Sequence, residues 1–492
     1  MSSTIRVRTR FAPSPTGYLH IGGLRTALYS YLFAKHHGGD FILRIEDTDQ
    51  ERLVPGAQEQ LLKTLKQVGI VPDECDSIGG NYGPYIQSQR LPIYKQHAEM
   101  LLEKGEAYYC FCSQERLAEV RQQQQQHKIP PMYDGLCRTL DPAQAAARVA
   151  AGEPHVVRMK VPREGVTEFN DIVWGTIRVP NASIDDQVLM KADGFPTYHL
   201  AAVVDDHLME ISHIMRGEEW IPSTPKHVLL YAAFGWPMPT VAHLPTIQNK
   251  DRTKLSKRQG DVAAEDFLAA GYLPAAIVNF VALLGWHPGA GETEEIFSMA
   301  DLIERFSLEH IHKAGAIFSQ EKLNWINSHY IRALPIAELA RLCQPYLEPL
   351  LAAQPQDASY VERVIKLEQE RMEKLSDIAQ LTEYFLTDTL TYPTELLVWK
   401  KSTVADTLRW LSAVQTALTA VDDWSQAGLE QYLRQWITEQ GASNGDVLWP
   451  LRAALTGRDK SPNPFEVAGV LGKQRSLARI ATAIDKLQAA AA

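Results

Sequence analysis

The chain is 492 residues long, 45% hydrophobic and 22% charged, with a formal net charge of −10. That length exceeds one hydrophobic core, so about two to four domains are expected, and the composition is globular rather than disordered or fibrous. The acidic balance argues against a nucleic-acid partner in the far field only, because a large acidic protein can still present a local basic surface.

The opening Met-Ser-Ser-Thr-Ile-Arg run lacks the apolar stretch of a secretory signal. The longest apolar run, Ala275 to Trp286, is interrupted by Asn279 and is too short to span a bilayer. Five cysteines over this length fit a reducing compartment better than a disulfide scaffold. A cytoplasmic protein without a membrane partner is expected.

In chain order, Ile5, Val7 and Phe11 mark a short strand, and a proline-stiffened loop follows. Leu24, Ala27, Leu28, Tyr31 and Leu32 then recur at helical spacing, and Gly38-Gly39 stop the helix. Phe41, Leu43 and Ile45 alternate as a second strand. Strand, crossover helix and strand make a parallel βαβ unit whose ligands sit beyond the carboxyl ends of the strands. Arg10 and Glu46 end the two strands, so their charges should converge beside the helix start that carries His20, Gly22 and Gly23. Unpaired N–H groups and the helix dipole favour an anion there.

Residues 1–108 read as the first half of a doubly wound α/β domain. The texture changes near residue 109, where Tyr108-Tyr-Cys-Phe-Cys112, the glutamine run 122–126 and an alanine-rich stretch suggest an insertion. Leu200 to Val204, apolar throughout, predicts a buried parallel strand. Ile211 to Met215 predicts another, which puts Arg216 at a carboxyl end, and Thr224 to Phe234 reads as a helix. From residue 261 strands essentially vanish and helical periodicity takes over, including one long amphipathic run from Tyr360 to Leu386. The expected fold is therefore α/β: a doubly wound parallel-sheet (Rossmann-like) catalytic domain with an inserted α/β subdomain, followed by an all-α C-terminal half.

The N-terminal loop is not the G-x-G-x-x-G dinucleotide fingerprint, so hydride chemistry has no support. It offers an imidazole at a helix start and glycines that let backbone approach a phosphate. A second basic segment, Asn249 to Arg258, carries five basic residues against one acid. Alone it would read as a solvated loop. Paired with the first loop, Lys254 and Lys257 can bring two ammonium groups onto one triphosphate and stabilise a nucleotidyl transfer without a covalent step.

Pro13-Ser-Pro-Thr-Gly-Tyr-Leu-His-Ile-Gly-Gly23 and Lys254-Leu-Ser-Lys-Arg258 resemble the two signature motifs of class I aminoacyl-tRNA synthetases. Arg44-Ile-Glu-Asp-Thr-Asp49, Val203-Val-Asp-Asp-His207 and Met215-Arg-Gly-Glu-Glu219 narrow the resemblance to the bacterial-type glutamyl-tRNA synthetases. It extends almost end to end, through Ile317 to Asn327 and Pro450 to Gly457. The resemblance implies an enzyme that activates L-glutamate with ATP-Mg²⁺ to glutamyl-adenylate, releasing pyrophosphate. The glutamyl group then passes to the terminal adenosine of tRNA-Glu.

By the same resemblance His20, Lys254 and Lys257 are catalytic, and His20, Gly22, Gly23 and Lys257 contact ATP. Arg10, Ser14, Glu46, Tyr198 and Arg216 hold the glutamate, Glu46 suiting its ammonium and Arg216 its side-chain carboxylate. The implied domains are a catalytic domain over 1–108 and 187–260, and an inserted tRNA acceptor-binding subdomain over 109–186. A helical stem-contact domain over 261–332 and an all-helical anticodon-binding domain over 333–492 follow. Expected partners are tRNA-Glu, L-glutamate and ATP, and a monomer is expected.

Many members hold zinc in the insertion through Cys-x-Cys, a later Cys and a His. Here Cys110, Cys112 and Cys137 are present, and Thr139 stands where the His would be. Tyr133 as fourth ligand resembles a zinc site in a related truncated enzyme, and a site that had lost its metal would look the same. Arg371 falls where members accepting only tRNA-Glu carry an anticodon-reading arginine, and Arg452 matches a second position near the anticodon. A plain helix-surface arginine is the alternative at residue 371. Three rival functions remain: a glutaminyl-tRNA synthetase, whose anticodon region is a β-barrel, a non-discriminating enzyme that also charges tRNA-Gln, and a non-catalytic tRNA-binding paralogue.

Overall fold

The structure, a computed structural model, describes residues 6–255, 263–289, 291–400 and 402–491. Strand β1 (Arg8–Phe11), the helix Ile21–His36 and strand β2 (Asp40–Leu43) form the expected βαβ unit, with Arg8 opposite Asp40 and Phe11 opposite Leu43 in parallel register. Leu24, Ala27, Leu28 and Leu32 are fully buried, which is the stripe the spacing predicts. Gly38 takes a positive φ of 63° just past the helix end, a conformation that favours glycine. Gly39 has a second reason to be glycine: any side chain there would run into the carbonyl of Val7. The pair therefore ends the helix and lets β2 start hard against β1.

Five strands follow in the middle of the chain: β3 (Ala107–Cys110), β4 (Val156–Met159), β5 (Val166–Asp171), β6 (Gly175–Pro180) and β7 (Val188–Met190). Strands β3, β4 and β7 make a separate antiparallel sheet. The β5–β6 hairpin instead extends the main sheet, whose order is β2-β1-β8-β9-β5-β6 with β8 (His213–Gly217) and β9 (Thr240–Leu244). Every pairing from β2 to β5 is parallel, and β6 closes the edge antiparallel. The strand order reverses between β1 and β8, so a crevice opens beyond their carboxyl ends. Arg10 stands in β1 and Arg216 in β8.

Leu200 to Val204 is not a strand. It lies within the helix Tyr198–Leu208, where Leu200, Ala201, Ala202, Val203 and Val204 are all buried. A helix covered on every side is apolar on every side, so its run loses the polar stripe that would have declared it. The β5 strand escaped notice for the opposite reason: its buried face carries Thr167, Phe169 and Asp171, and two polar residues hide the alternation.

The chain forms two compact units, residues 1–269 with 274–323, and residues 270–273 with 324–492. The second is helical, with long helices at Ile336–Ala353, Val404–Thr419, Gln426–Glu439, Asn444–Thr456 and Pro464–Ala491. The single helix expected from Tyr360 to Leu386 is broken. The helix Ala358–Glu368 ends in a tight turn at Gln369–Arg371, and helix resumes at Asp377–Thr382. Asp377 accepts from the amides of Glu373 and Lys374, both at 2.9 Å, a local bond that competes with helix continuation. Among the described residues beyond 263 the only strand is Ala316–Ile317, and no helix is long and apolar enough to cross a membrane.

Candidate active site

A cleft of about 1160 Å³ opens at the strand-order reversal. Arg10, Ser14, His20, Gly22, Gly23, Glu46, Tyr198, Arg216 and Lys254 all line it. Residues from the first 46 positions and from beyond 198 thus meet in one space, large enough for a nucleotide and an amino acid together. Lys257 lies outside the described residues.

One wall is a buried charge network. Asp206 accepts from Arg10 Nε at 3.1 Å and from Arg44 Nη1 at 2.8 Å, while Arg44 Nη2 donates to Glu46 Oε1 at 3.0 Å. Burial works against ionisation of Asp206, but Arg10 and Arg44 outweigh it and hold that carboxyl below the usual range. At Glu46 burial wins over the same two arginines, and its carboxyl is pushed above the usual range. Arg10 Nη1 also donates to the Met215 carbonyl at 3.2 Å, which ties β1 to β8 beside the cleft.

Facing that network is Arg216, 6% exposed and surrounded by neutral groups. Its Nε donates to His243 Nε2 at 3.0 Å, and Nη1 to the Tyr198 hydroxyl at 2.8 Å and to His227 Nδ1 at 3.3 Å. Nη2 donates to Thr224 Oγ1 at 2.8 Å. Among the described residues no carboxylate pairs with it, whereas Arg10 pairs with Asp206 and Arg44 with Asp205, Asp206 and Glu46. A buried guanidinium without a counter-charge is a costly arrangement that a bound anion would relieve. The histidines around it stay neutral: burial first, and Arg216 after it, hold His227 far below its usual pKa.

His20 caps the helix Ile21–His36, its Nδ1 accepting from the amide of Gly22 at 3.0 Å. An accepting Nδ1 leaves the ring proton on Nε2, so the neutral imidazole is a donor on its other edge. Arg25, on the same helix start, also lines the cleft and is anchored on the carbonyls of Leu284 and Pro245.

Away from the cleft, the sulfurs of Cys110, Cys112 and Cys137 lie within 4.8 Å of one another. The Cys112 and Cys137 sulfurs are 3.6 Å apart, close to the separation of about 3.8 Å that two thiolates take on one tetrahedral zinc. The Tyr133 hydroxyl stands 3.4 Å from Cys110 Sγ and 3.5 Å from Cys112 Sγ, so an oxygen completes a four-donor set. The Phe111 amide donates to Cys137 Sγ at 3.4 Å, which fixes that sulfur in place. The three sulfurs could hold a metal ion.

In the helical unit Arg371 Nη1 bonds Glu368 Oε2 at 2.7 Å, and Tyr384 donates to Glu368 Oε1 at 2.8 Å. Arg371 is thus more than a surface charge: it neutralises a buried carboxylate. Arg452 is half-buried, and its Nε has no hydrogen-bond partner in the described structure.

The sequence reading missed Arg44, Asp206, Thr224, His227 and His243 as parts of the site. Arg44 and Asp206 fall within Arg44–Asp49 and Val203–His207, where charged residues in apolar surroundings were the available signal. His243 had none, since the strand that carries it went unrecognised.

The fold and cleft define a class I synthetase. Residues 6–325 match the family described as tRNA synthetases class I (E and Q), catalytic domain, and residues 338–484 match an anticodon binding domain. The glutamate–tRNA ligase of Prosthecochloris aestuarii is 47% identical over 496 residues, covering 98% of each chain. That of Clostridium botulinum is 47% identical over 489 residues, covering 99% of each. The crystal structure of a glutamate–tRNA ligase from Elizabethkingia meningosepticum, solved with its amino acid, superposes with a TM-score of 0.88 at 36% identity, over 98% of this chain and 100% of that one. The chain belongs to the glutamate–tRNA ligase family.

Proposed function

We propose that the cleft activates L-glutamate with ATP-Mg²⁺ and that the chain then esterifies the terminal adenosine of tRNA-Glu. The observation that carries the assignment is the buried guanidinium of Arg216, with no carboxylate partner among the described residues, in the same cleft as the Glu46 carboxylate. A substrate with a side-chain carboxylate and an ammonium satisfies both, and glutamine satisfies only one. Arg10 and Ser14 complete the amino-acid pocket in this reading, with Tyr198 donating its hydroxyl proton to the side-chain carboxylate.

The substrate's α-carboxylate attacks the α-phosphorus of ATP, and pyrophosphate leaves. His20 Nε2–H, the helix start at Gly22 and Gly23, and Lys254 supply positive potential where the phosphates would lie, and Lys257 is assigned the departing pyrophosphate from sequence alone. The ribose hydroxyl of the tRNA then displaces AMP from the adenylate. Residues 109–186 are assigned to the acceptor end, 261–332 to the stem, and 333–492 to the anticodon, with Arg371 and Arg452 as contacts. The helical character of 338–484 supports this reading over a glutaminyl-tRNA synthetase with a β-barrel at that place.

In the insertion, Cys110, Cys112, Cys137 and Tyr133 would hold a zinc ion whose role is to pin the end of β3 to the loop after residue 132. The test of the main assignment is ATP–pyrophosphate exchange with glutamate, with and without tRNA. Glutamate-dependent exchange is expected once tRNA is present, and no exchange under any tRNA condition would refute it. Charging tRNA-Glu and tRNA-Gln side by side decides between a discriminating enzyme and one that accepts both.

A further inference from the structure

Arg216, His243 and Asp171 form one hydrogen-bonded line across three adjacent parallel strands. Arg216 on β8 stands opposite His243 on β9, and Asp171 on β5 pairs with Val241 of β9. Arg216 Nε donates to His243 Nε2 at 3.0 Å, and His243 Nδ1 meets Asp171 Oδ2 at 2.6 Å. All three side chains are buried, His243 completely. A carboxylate can only accept, so the ring proton of His243 sits on Nδ1 and its Nε2 lone pair faces the guanidinium. Asp171 is itself fixed by the amides of Val173, Trp174 and His243 at 2.8–3.0 Å. Rotation of the imidazole would break bonds at both edges.

The chemistry of this line differs from an ordinary salt bridge. A carboxylate placed directly on Arg216 would hold it and also cancel its charge. A neutral imidazole in a fixed tautomer holds Nε while leaving the charge in place, and the balancing carboxylate stands a full ring further away. The Coulomb energy of a pair falls with that separation, so the guanidinium keeps its field for a ligand. Together with His227, Tyr198 and Thr224, four bonds to neutral acceptors leave one N–H, on Nη2, without a partner among the described residues.

We propose that His243, oriented by Asp171, is a positioning residue that sets the preference for glutamate over glutamine by holding Arg216 in place without neutralising it. This rests on the reading that Arg216 receives the side-chain carboxylate of the substrate. Neither His243 nor Asp171 touches substrate. Without the acceptor at Nε the guanidinium would be left with a buried unpaired donor, and it would turn toward another acceptor in the cleft, where Glu219 lies.

The test is tRNA-dependent pyrophosphate exchange by the full-length protein, with KM measured separately for glutamate and ATP and with glutamine as competitor. His243→Leu removes the acceptor. It is expected to raise the glutamate KM roughly ten- to hundredfold, to leave the ATP KM within about twofold, and to lower the glutamate-over-glutamine ratio of kcat/KM. His243→Gln puts an amide oxygen at the place of Nε2 and is expected to restore most of that ratio. Asp171→Asn, which can favour the other imidazole tautomer, is expected to resemble the leucine variant in the same split. A glutamate KM within about twofold of the unaltered protein in folded His243→Leu would overturn the proposal, as would equal losses for glutamate and ATP. Should the leucine variant fail to fold, Asp171→Asn decides by the same criterion. Absence of exchange in the unaltered protein would overturn the functional reading, and this inference with it.

Discussion

Nη2 of Arg44 lies 3.0 Å from Oε1 of Glu46, with Arg44 fully buried and Glu46 9% exposed at the floor of the cleft. Arg44 occupies only one oxygen, and Oε2 has no hydrogen-bond partner among the described residues. Glu46→Gln keeps the shape and removes the charge that an ammonium needs. It is expected to raise the glutamate KM by roughly ten- to hundredfold with little change for ATP. Because burial holds the Glu46 carboxyl above its usual range, the charge is lost as pH falls through that raised value. Glutamate KM in the unaltered protein should therefore climb as pH falls, beginning above the ordinary carboxylate pKa of about 4.3, and the glutamine variant should lack that limb. Steady-state exchange kinetics across this range check both statements.

The histidines beside Arg216 make a stability prediction of definite sign. His199 is pushed down to about 3, by burial first and then by Lys226 and Arg216. Its Nδ1 lies 3.1 Å from His227 Nε2, and burial holds His227 well below its usual value too. An unfolded histidine titrates near 6.5, so between about 3 and 6.5 the unfolded chain binds a proton that the folded one does not. Stability should fall as pH drops through that window, by up to about 1.4 kcal/mol per pH unit for each such histidine. His199→Asn keeps an acceptor for His227 and removes one titrating group. Urea midpoints at about pH 7.5 and 5 should therefore lie closer together in the variant than in the unaltered protein.

What sequence made legible, and what it did not, follows from how each part encodes itself. The βαβ start was readable because Leu24, Ala27, Leu28 and Leu32 face one core and Gly38-Gly39 end the helix, all within one short stretch. Arg10, Glu46 and Arg216 were assigned because they sit in motifs contiguous along the chain. The βαβ unit already brought Arg10 and Glu46 together, but the arrival of Arg216 beside them is a property of strand order, with β8 next to β1, which no local pattern contains. The helix Tyr198–Leu208 misled because full burial erased its periodicity. His243 was invisible for a different reason: its importance comes from lying opposite Arg216, twenty-seven residues away in sequence but in register across β8 and β9.

The cysteine cluster makes a prediction that does not involve catalysis. Protein purified without chelator should carry about one equivalent of zinc by metal analysis. Cys137→Ser should lose it, because that sulfur lies 3.6 Å from Cys112 and receives the Phe111 amide. Tyr133→Phe removes only the oxygen donor and should weaken binding while three sulfurs remain. Chelation should lower the thermal midpoint of the unaltered protein and leave that of Cys137→Ser unmoved, since a metal bound only by the folded state stabilises by mass action. Less than about a tenth of an equivalent in the unaltered protein would end the zinc reading.

Arg371 calls for a prediction that separates two roles. Its ion pair with Glu368, at 2.7 Å, partners a carboxylate that is otherwise bonded to Tyr384 and wholly buried. Arg371→Ala leaves that charge one bond short and should destabilise the helical unit by about 1–3 kcal/mol, readable as a lower urea midpoint. If the arginine also contacts the anticodon, the same variant raises the KM for tRNA-Glu. Arg371→Lys distinguishes the effects, because a lysine can keep the ion pair but lacks the planar fork that reads a base edge. Stability near that of the unaltered protein with a raised tRNA KM is the expected result for the lysine variant. Recovery of both properties would assign Arg371 to the buried carboxylate alone.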